Sequence, residues 1–203
     1  MPMWNTLDRP LVLASQSPRR QEILSSMGLS FSVESPSIED EESYIDPADL
    51  AKSLKNLAWA KANSVARLHM DKLVLGGDTI VFVDGQVLGK PSDSGHAFEM
   101  LKLLSGRVHQ VMSGVSLVCL DKSFAASSVA VTDVFFRRIE DEEISSYLKG
   151  TEYADKAGAY GIQGKAMIFI DRIEGCFYNV VGLPVSKTID LFTAYGGRKD
   201  ILS

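Results

Sequence analysis

Cysteine is scarce in this chain: there are two, Cys119 and Cys176, on separate apolar stretches, with no CxxC and no histidine at metal-ligand spacing. A disulfide framework and zinc chemistry therefore have no support, and the thiols read as structural groups of a reducing compartment. Long apolar runs are missing as well. None approaches the ~20 residues that span a membrane, and Met1–Pro10 lacks the basic-then-apolar order of a secretory signal. The expectation is a cytoplasmic protein with no membrane partner. Positive charge is in deficit, 21 Lys+Arg against 26 Asp+Glu for a net charge of −5, which opposes sequence-independent binding of nucleic acid. A small anionic ligand needs only local positive charge and stays compatible. Also absent are a Walker A sequence, a nucleophile-elbow serine or cysteine, and any motif shared by His69, His96 and His109. An ordinary P-loop nucleotidase and covalent catalysis are left without support.

What is present begins at Leu13-Ala14-Ser15-Gln16-Ser17-Pro18-Arg19-Arg20, between the apolar run Leu11–Leu13 and the helical pattern Gln21–Met27. Ser17 is expected as N-cap and Pro18 as the first helical residue, so loop amides and the positive end of a helix dipole share their space with two guanidinium groups. That is a site for a polyanion, or else an exposed helix start with solvated arginines.

Further along, Phe31–Val33 reads as a short strand before the acidic run Glu39-Asp40-Glu41-Glu42. A long helix is expected from Pro47 to His69, with a stripe of Leu50, Leu54, Leu57, Lys61, Val65 and Leu68. Lys61 in that stripe either snorkels to water or faces an internal cleft. Two strands, Leu73–Leu75 and Ile80–Val83, flank Gly76-Gly77-Asp78-Thr79, and Asp84-Gly85 is a hairpin turn before Gln86–Leu88. A helix over Asp93–Leu104, strands over Val108–Leu120 and Ser127–Ile139, and a helix over Glu140–Leu148 follow. The glycine-rich loop Lys156–Gly164 precedes a strand at Met167–Ile170, and a last helix ends at Gly196-Gly197. Mixed order without strict alternation predicts an α/β fold with a mixed sheet and a cleft.

Asp78 follows two glycines at the end of an apolar strand, where backbone approaches a ligand closely; the alternative is an Asx-turn aspartate. The acidic run is a solvated loop, or one of its carboxylates joins Asp78 on a divalent cation. Lys90 and Lys156 are each surface lysines when taken alone. Together with Arg19, Arg20 and Lys61 they supply positive charge for a triphosphate, to which Mg2+ adds more. Water activated by carboxylate and metal beside a basic pocket suits hydrolysis of a phosphoanhydride.

The blocks Leu13–Arg20, Gly77-Asp78-Thr79, Leu88-Gly89-Lys90-Pro91, Leu104-Ser105-Gly106 with His109, Asp155–Gly164 and Asn179–Pro184 together resemble the Maf family of nucleoside triphosphate pyrophosphatases, in order from Leu11 to Leu191. The resemblance implies one Maf-like domain over 1–203. Its fold would be a two-lobed α/β one, related to inosine triphosphate pyrophosphatases, with two lobes around a central active-site cleft. A cytoplasmic homodimer is also implied. So is cleavage between the α and β phosphates to a monophosphate and pyrophosphate, with a divalent cation (Mg2+ or Mn2+) and Asp78 as the proton acceptor. Phosphate binding falls to Ser15, Ser17, Arg19, Arg20, Lys61, Lys90 and Lys156. Arg19, Thr79 and Gln163 stand where the family sets base specificity, and their combination resembles the dTTP/UTP branch. The Gln163 amide offers a donor and an acceptor, which can match the imide edge of uracil or thymine. Where the family carries a functional glutamate, this chain has Asp40, so the metal pair is expected to be Asp40 and Asp78, with Glu39 or Glu41 as a stand-in. The alternative function is a nucleotide-binding regulator of cell division and septum formation that needs no catalysis.

Overall fold

Four buried residues, Leu11–Ala14, form strand β1 of the computed structural model, which describes residues 7–196. Their unbroken apolar character is that of a strand covered on both faces. β1 pairs in parallel with β2 (Phe31–Glu34) and with β3 (Leu73–Val83), Leu13 standing opposite Val33 on one side and Leu75 on the other. Helices α1 (Pro18–Ser26) and α2 (Leu50–Ala66) lie between these strands in the chain. After them come β4 (Gln86–Leu88), α3 (Ser94–Leu104), β5 (Val108–Cys119), β6 (Phe124–Phe136), α4 (Asp141–Tyr147), β7 (Ile170–Glu174), α5 (Phe177–Val181) and α6 (Val185–Tyr195). The seven strands form a mixed sheet in the order β2-β1-β3-β5-β6-β7, with β4 beside β3, which is the α/β class the sequence predicts. No helix among the described residues is long and apolar enough to cross a membrane. Gly197, at the expected end of the last helix, and both ends of the 1–203 domain lie outside the described residues.

The chain forms two compact units. The first comprises the described residues of 1–78 and of 182–203 together with Ser113–Ala130; the second comprises Thr79–Met112 and Val131–Val181.

In the first unit, Val12, Ala14, Val74 and Val118 of the strands pack against Ala62, Val65 and Ala66 of α2. Asp49 caps α2 by accepting from the Lys52 amide at 3.0 Å. Leu54, Leu57, Lys61 and Val65 are all buried as the stripe predicts, but the helix stops at Ala66 and Leu68 is 71% exposed. Two glycines set how closely α2 approaches. A Cβ on Gly76 would stand 2.5 Å from the Ala58 carbonyl oxygen, and one on Gly114 would stand 2.3 Å from that of Leu54. The expected break at Gly76-Gly77 is accordingly not a loop. β3 runs through it without interruption, because Gly76 serves the packing of α2 and Gly77 lies against Gly114 of β5, neither making a turn.

The second unit is built on rings. Phe136 meets Tyr160 and Phe169, and Tyr147 meets Phe169, over the buried Leu101 and Leu104 of α3. The Asp84-Gly85 hairpin is as expected, with left-handed φ values of 47° and 81° joining Val83 to Gln86. The strand expected at Met167–Ile170 is instead a 3-10 helix over Lys165–Phe169, and β7 starts only at Ile170. Ala166 and Phe169 are the buried pair, and a spacing of three is the repeat of a 3-10 helix, not of a strand.

His109 is also in the second unit, 1% exposed, with Nε2 2.6 Å from Tyr160 Oη. Burial pushes its pKa down to about 4 from 6.5, so the folded protein holds it neutral.

Gly114→Ala is expected to cost about 3 kcal/mol, because helix backbone cannot yield as a side chain can, and a lowered urea midpoint measures it. His109 generates a pH dependence. Its contribution is intact above pH 6.5 and is lost progressively as pH falls towards 4, by roughly 3 kcal/mol. Urea titrations at pH 7 and pH 4.5 should show this loss, and a smaller one in His109→Gln.

Candidate active site

The polar turn after β1 is closed by its own hydroxyl. Ser15 Oγ accepts from the Ser17 amide at 3.2 Å and from Arg20 Nη1 at 3.0 Å, and Ser15 is 6% exposed. Ser17 is the N-cap of α1 and Pro18 its first residue, as expected, but the Ser17 side chain makes no capping bond. The carbonyl of Ser17 instead accepts from the Gln21 amide. Arg20 Nε donates to the Gly182 carbonyl at 2.9 Å. With Nε and Nη1 engaged, the guanidinium has a fixed orientation. Burial pulls its pKa below the ordinary arginine range; Asp78 raises it, neighbouring Arg19 lowers it and Glu41 raises it. Arginine stays charged through such shifts.

Lys61 is 6% exposed and its ammonium reaches two carboxylates, Asp78 Oδ1 and Glu41 Oε2, each at 2.7 Å. The snorkelling reading of Lys61 therefore fails, since its ammonium is buried on two carboxylates and not turned out to water. Asp78 is mostly buried on β3, with 17% of its side chain exposed, and Glu41 is half-exposed. The geometry follows from the close approach of α2, since Ala58 and Ala62, which flank Lys61 on the helix, are the residues seated on Gly76 two positions before Asp78. The structure thus gathers Ser15, Arg20, Lys61, Asp78 and Glu41 within the first unit, a mixed-charge set beside a helix N-terminus.

Asp40 stands next to this set in the chain but turns elsewhere: its Oδ1 accepts from the Ser43 amide at 3.2 Å and its carbonyl from Ser43 Oγ at 2.9 Å. That closes a short 3-10 turn over Glu42–Tyr44. Among the described residues no group of three or more His, Cys, Asp and Glu is gathered as a metal cage. Two carboxylates do share Lys61 as a neighbour, and paired hard oxygens of this kind suit Mg2+ or Mn2+, which bind through one or two carboxylates with water and substrate phosphate completing the shell.

Thr79, Lys90, Lys156 and Gln163 belong to the second unit. Lys90 and Gln163 are exposed, and Thr79 is partly buried. The Lys156 ammonium is folded back onto the Glu152 carbonyl and also reaches Asp155 Oδ1 at 2.8 Å. Its stem lies over Gly161, where a Cβ would stand 2.6 Å from Lys156 Cε. Glu152 closes the same loop by accepting from the Lys165 amide at 2.9 Å. Asn179 anchors α5 to the strands through Nδ2, which donates to the Val111 carbonyl at 2.8 Å and to Thr132 Oγ1 at 2.9 Å.

Sequence reasoning gave no part to Gly114 or to the Gly182 carbonyl. A lone glycine inside the apolar run Val108–Cys119 was the available signal for the first, since it marks a close backbone approach. The second is a main-chain atom and carries no signal in the residue type.

Comparison with known proteins gives the family and its named relatives. The profile of the family described as "Maf-like protein" matches residues 10–195. A protein of Carboxydothermus hydrogenoformans named dTTP/UTP pyrophosphatase is 46% identical over 177 residues, covering 87% of this chain and 94% of that one. A dTTP/UTP pyrophosphatase of Symbiobacterium thermophilum is 46% identical over 187 residues, 92% of this chain and 94% of its own. Among solved structures, a HAM1 protein from Coxiella burnetii is matched at 16% identity with a TM-score of 0.42, over 64% of this chain and 74% of that one.

Removing the ammonium should expose the electrostatics of the set. Lys61→Met is expected to lower stability by roughly 3 kcal/mol, because Asp78 and Glu41 then lose the ammonium they share, and adding Glu41→Gln should recover part of it. Glu41→Gln alone, at a half-exposed position, should cost about 1 kcal/mol or less in the same urea titration.

Proposed function

The chain belongs to the Maf family, and from that premise we propose that it hydrolyses dTTP and UTP to the nucleoside monophosphate and pyrophosphate. The observation that carries the reading is the Asp78 carboxylate held on Lys61 in the same unit as the Ser15–Arg20 anion turn. A base and a phosphate site in one small volume are what attack of water on a phosphorus atom requires. Relatives named dTTP/UTP pyrophosphatase, 46% identical over most of this chain, supply the substrate class.

In the proposed reaction a water oxygen attacks the α phosphorus and the bond from that phosphorus to the bridging oxygen breaks. Pyrophosphate leaves with the electron pair, and the proton of the water passes to Asp78. With Asp78 Oδ1 engaged by Lys61, Oδ2 is the oxygen that takes it. Arg20, held by Ser15 and Gly182, meets the phosphates with little loss of side-chain freedom. Ser15, Ser17, Arg19 and Lys61 complete phosphate binding on the first unit. A divalent cation, held by Asp78 and a carboxylate of the Glu39–Glu42 run, would offset the charge that develops on phosphate oxygen. Glu41 is the member of that run already at Lys61, and Asp40 is the other candidate.

On the second unit, Lys90 and Lys156 are assigned to phosphate, and Thr79 and Gln163, with Arg19, to the base; these roles rest on motif position. For Lys156 the assignment requires its ammonium to leave the Glu152 carbonyl. A cytoplasmic location and a homodimer belong to the same proposal, on the strength of the family resemblance.

Pyrophosphate release from dTTP, UTP, CTP, dATP, GTP, 7-methyl-GTP and ITP with Mg2+ or Mn2+ tests the reading. Release confined to dTTP and UTP, falling about a thousandfold or more in Asp78→Asn, is expected. No release from any nucleotide would favour the binding-only regulator. Asp40→Asn and Glu41→Gln, compared for the metal concentration that gives half-maximal rate, identify the second carboxylate.

A further inference from the structure

The second unit contains a buried polar pair that the reaction above does not use. His109, near the start of β5, is 1% exposed, and Tyr160, in the glycine-rich loop, is 5% exposed. They are joined by the 2.6 Å contact of Nε2 and Oη, with rings perpendicular at 5.3 Å and Phe136 edge-on to both. His109 Nδ1 is buried and has no hydrogen-bond partner among the described residues. Two apolar rings would fill this volume without an unsatisfied nitrogen, so what the polar pair adds is direction. It fixes how deep the Tyr160 ring sits and therefore where its backbone runs.

That backbone is strained. Gly158 and Ala159 are both left-handed, at φ 67° and 62°, and for alanine this costs about 1 kcal/mol. Such a conformation persists only where its surroundings hold it. The Gly158 amide donates to the Gly89 carbonyl at 3.0 Å, Tyr147 Oη donates to the Ala159 carbonyl at 3.3 Å, and Tyr160 follows, locked on His109. At the far end Glu152 accepts from the Lys165 amide, and Gly164 packs so closely on Glu152 that a Cβ there would stand 2.0 Å from Oε1. Between these anchors lies the span Gly161-Ile162-Gln163, which begins under the Lys156 stem at Gly161, whose carbonyl accepts from the Gly164 amide at 3.1 Å, and ends in the exposed Gln163.

We propose that His109 is a positioning residue for base selection: by holding Tyr160 it fixes one end of the Gly161–Gln163 span and so sets where the Gln163 amide is presented to the pyrimidine. This rests on the reading of Gln163 as a base-contacting residue. His109 touches no substrate, and its effect passes through Tyr160 and three residues of backbone. A displacement of the amide by a fraction of an ångström weakens a bidentate match to the imide edge of uracil more than it weakens contacts to phosphate. Loss of the pair therefore acts on KM and on discrimination, and hardly on kcat.

The test compares UTP with CTP, whose bases differ at the edge an amide reads, in Tyr160→Phe, His109→Phe, His109→Gln and Gln163→Ala. Thermal melting is run alongside. Tyr160→Phe removes one oxygen and keeps the ring, so it is expected to fold. The expected result is a KM for UTP raised about tenfold with kcat within about twofold, and a UTP-over-CTP preference in kcat/KM reduced about tenfold, in both phenylalanine variants. Their double variant should be no worse than either alone, and His109→Gln, which can still bond Tyr160, should recover much of the preference. If Gln163→Ala loses the preference while Tyr160→Phe keeps both KM and preference and only melts earlier, His109 is a core residue and the proposal falls. If Gln163→Ala keeps the preference, or the wild type releases no pyrophosphate from UTP, the base-contact reading or the activity itself is what fails, and this inference falls with it.

Discussion

A buried ammonium between two carboxylates depends on α2 lying nearer its strands than a methyl group permits. Gly76 and Gly114 provide that approach, and Lys61 reaches Asp78 because of it. The arrangement is costly in isolation, since an ammonium loses most of its hydration at 6% exposure and must recover it from fixed partners. It recovers it from the groups that the proposed chemistry needs. Asp78 and Glu41 contribute two negative charges, and Lys61 and Arg20 two positive ones. The set is thus near neutral before a ligand arrives, and a triphosphate with its cation adds charges that these groups can partition among themselves.

The same restraint appears at the anion turn. Ser15 does not cap α1; it holds Arg20 and the Ser17 amide, and the Gly182 carbonyl fixes Arg20 from the other side. The structure therefore spends its hydroxyl on orienting a guanidinium instead of stabilising a helix end. That exchange is intelligible where a phosphate is to be met by a rigid fork.

How much of this could be read in the sequence depended on whether the signal was periodic or spatial. The apolar run of β1, the stripe of α2 as far as Val65 and the Asp84-Gly85 turn are local patterns, and they fold as read. The Gly76-Gly77 pair misled because glycine means a turn or a close approach with equal local force, and only the helix lying over it decides between them. Lys165–Phe169 misled because a short apolar run can alternate or repeat every three residues. At the site, Ser15, Arg20, Lys61 and Asp78 were recoverable as residue types in motifs, and their mutual contacts were not. Glu41 and Asp40 are neighbours of like charge in an acidic run, and only their hydrogen bonds separate one at Lys61 from the other in a turn. The Gly182 carbonyl lies 162 residues from its guanidinium and was beyond any local reading.

Gly182 bears on how the molecule is made. Each compact unit is stitched from separated stretches of chain, and the first is incomplete until Gly182 and α6 have been synthesised. On a ribosome that emits the chain from its N-terminus, the Ser15–Arg20 turn emerges early, yet its guanidinium gains the Gly182 carbonyl only when nearly the whole polypeptide is out. The turn is thus among the first parts of its unit to be translated and among the last to be finished, so a stalled or truncated product carries the motif without the Gly182 restraint on its guanidinium.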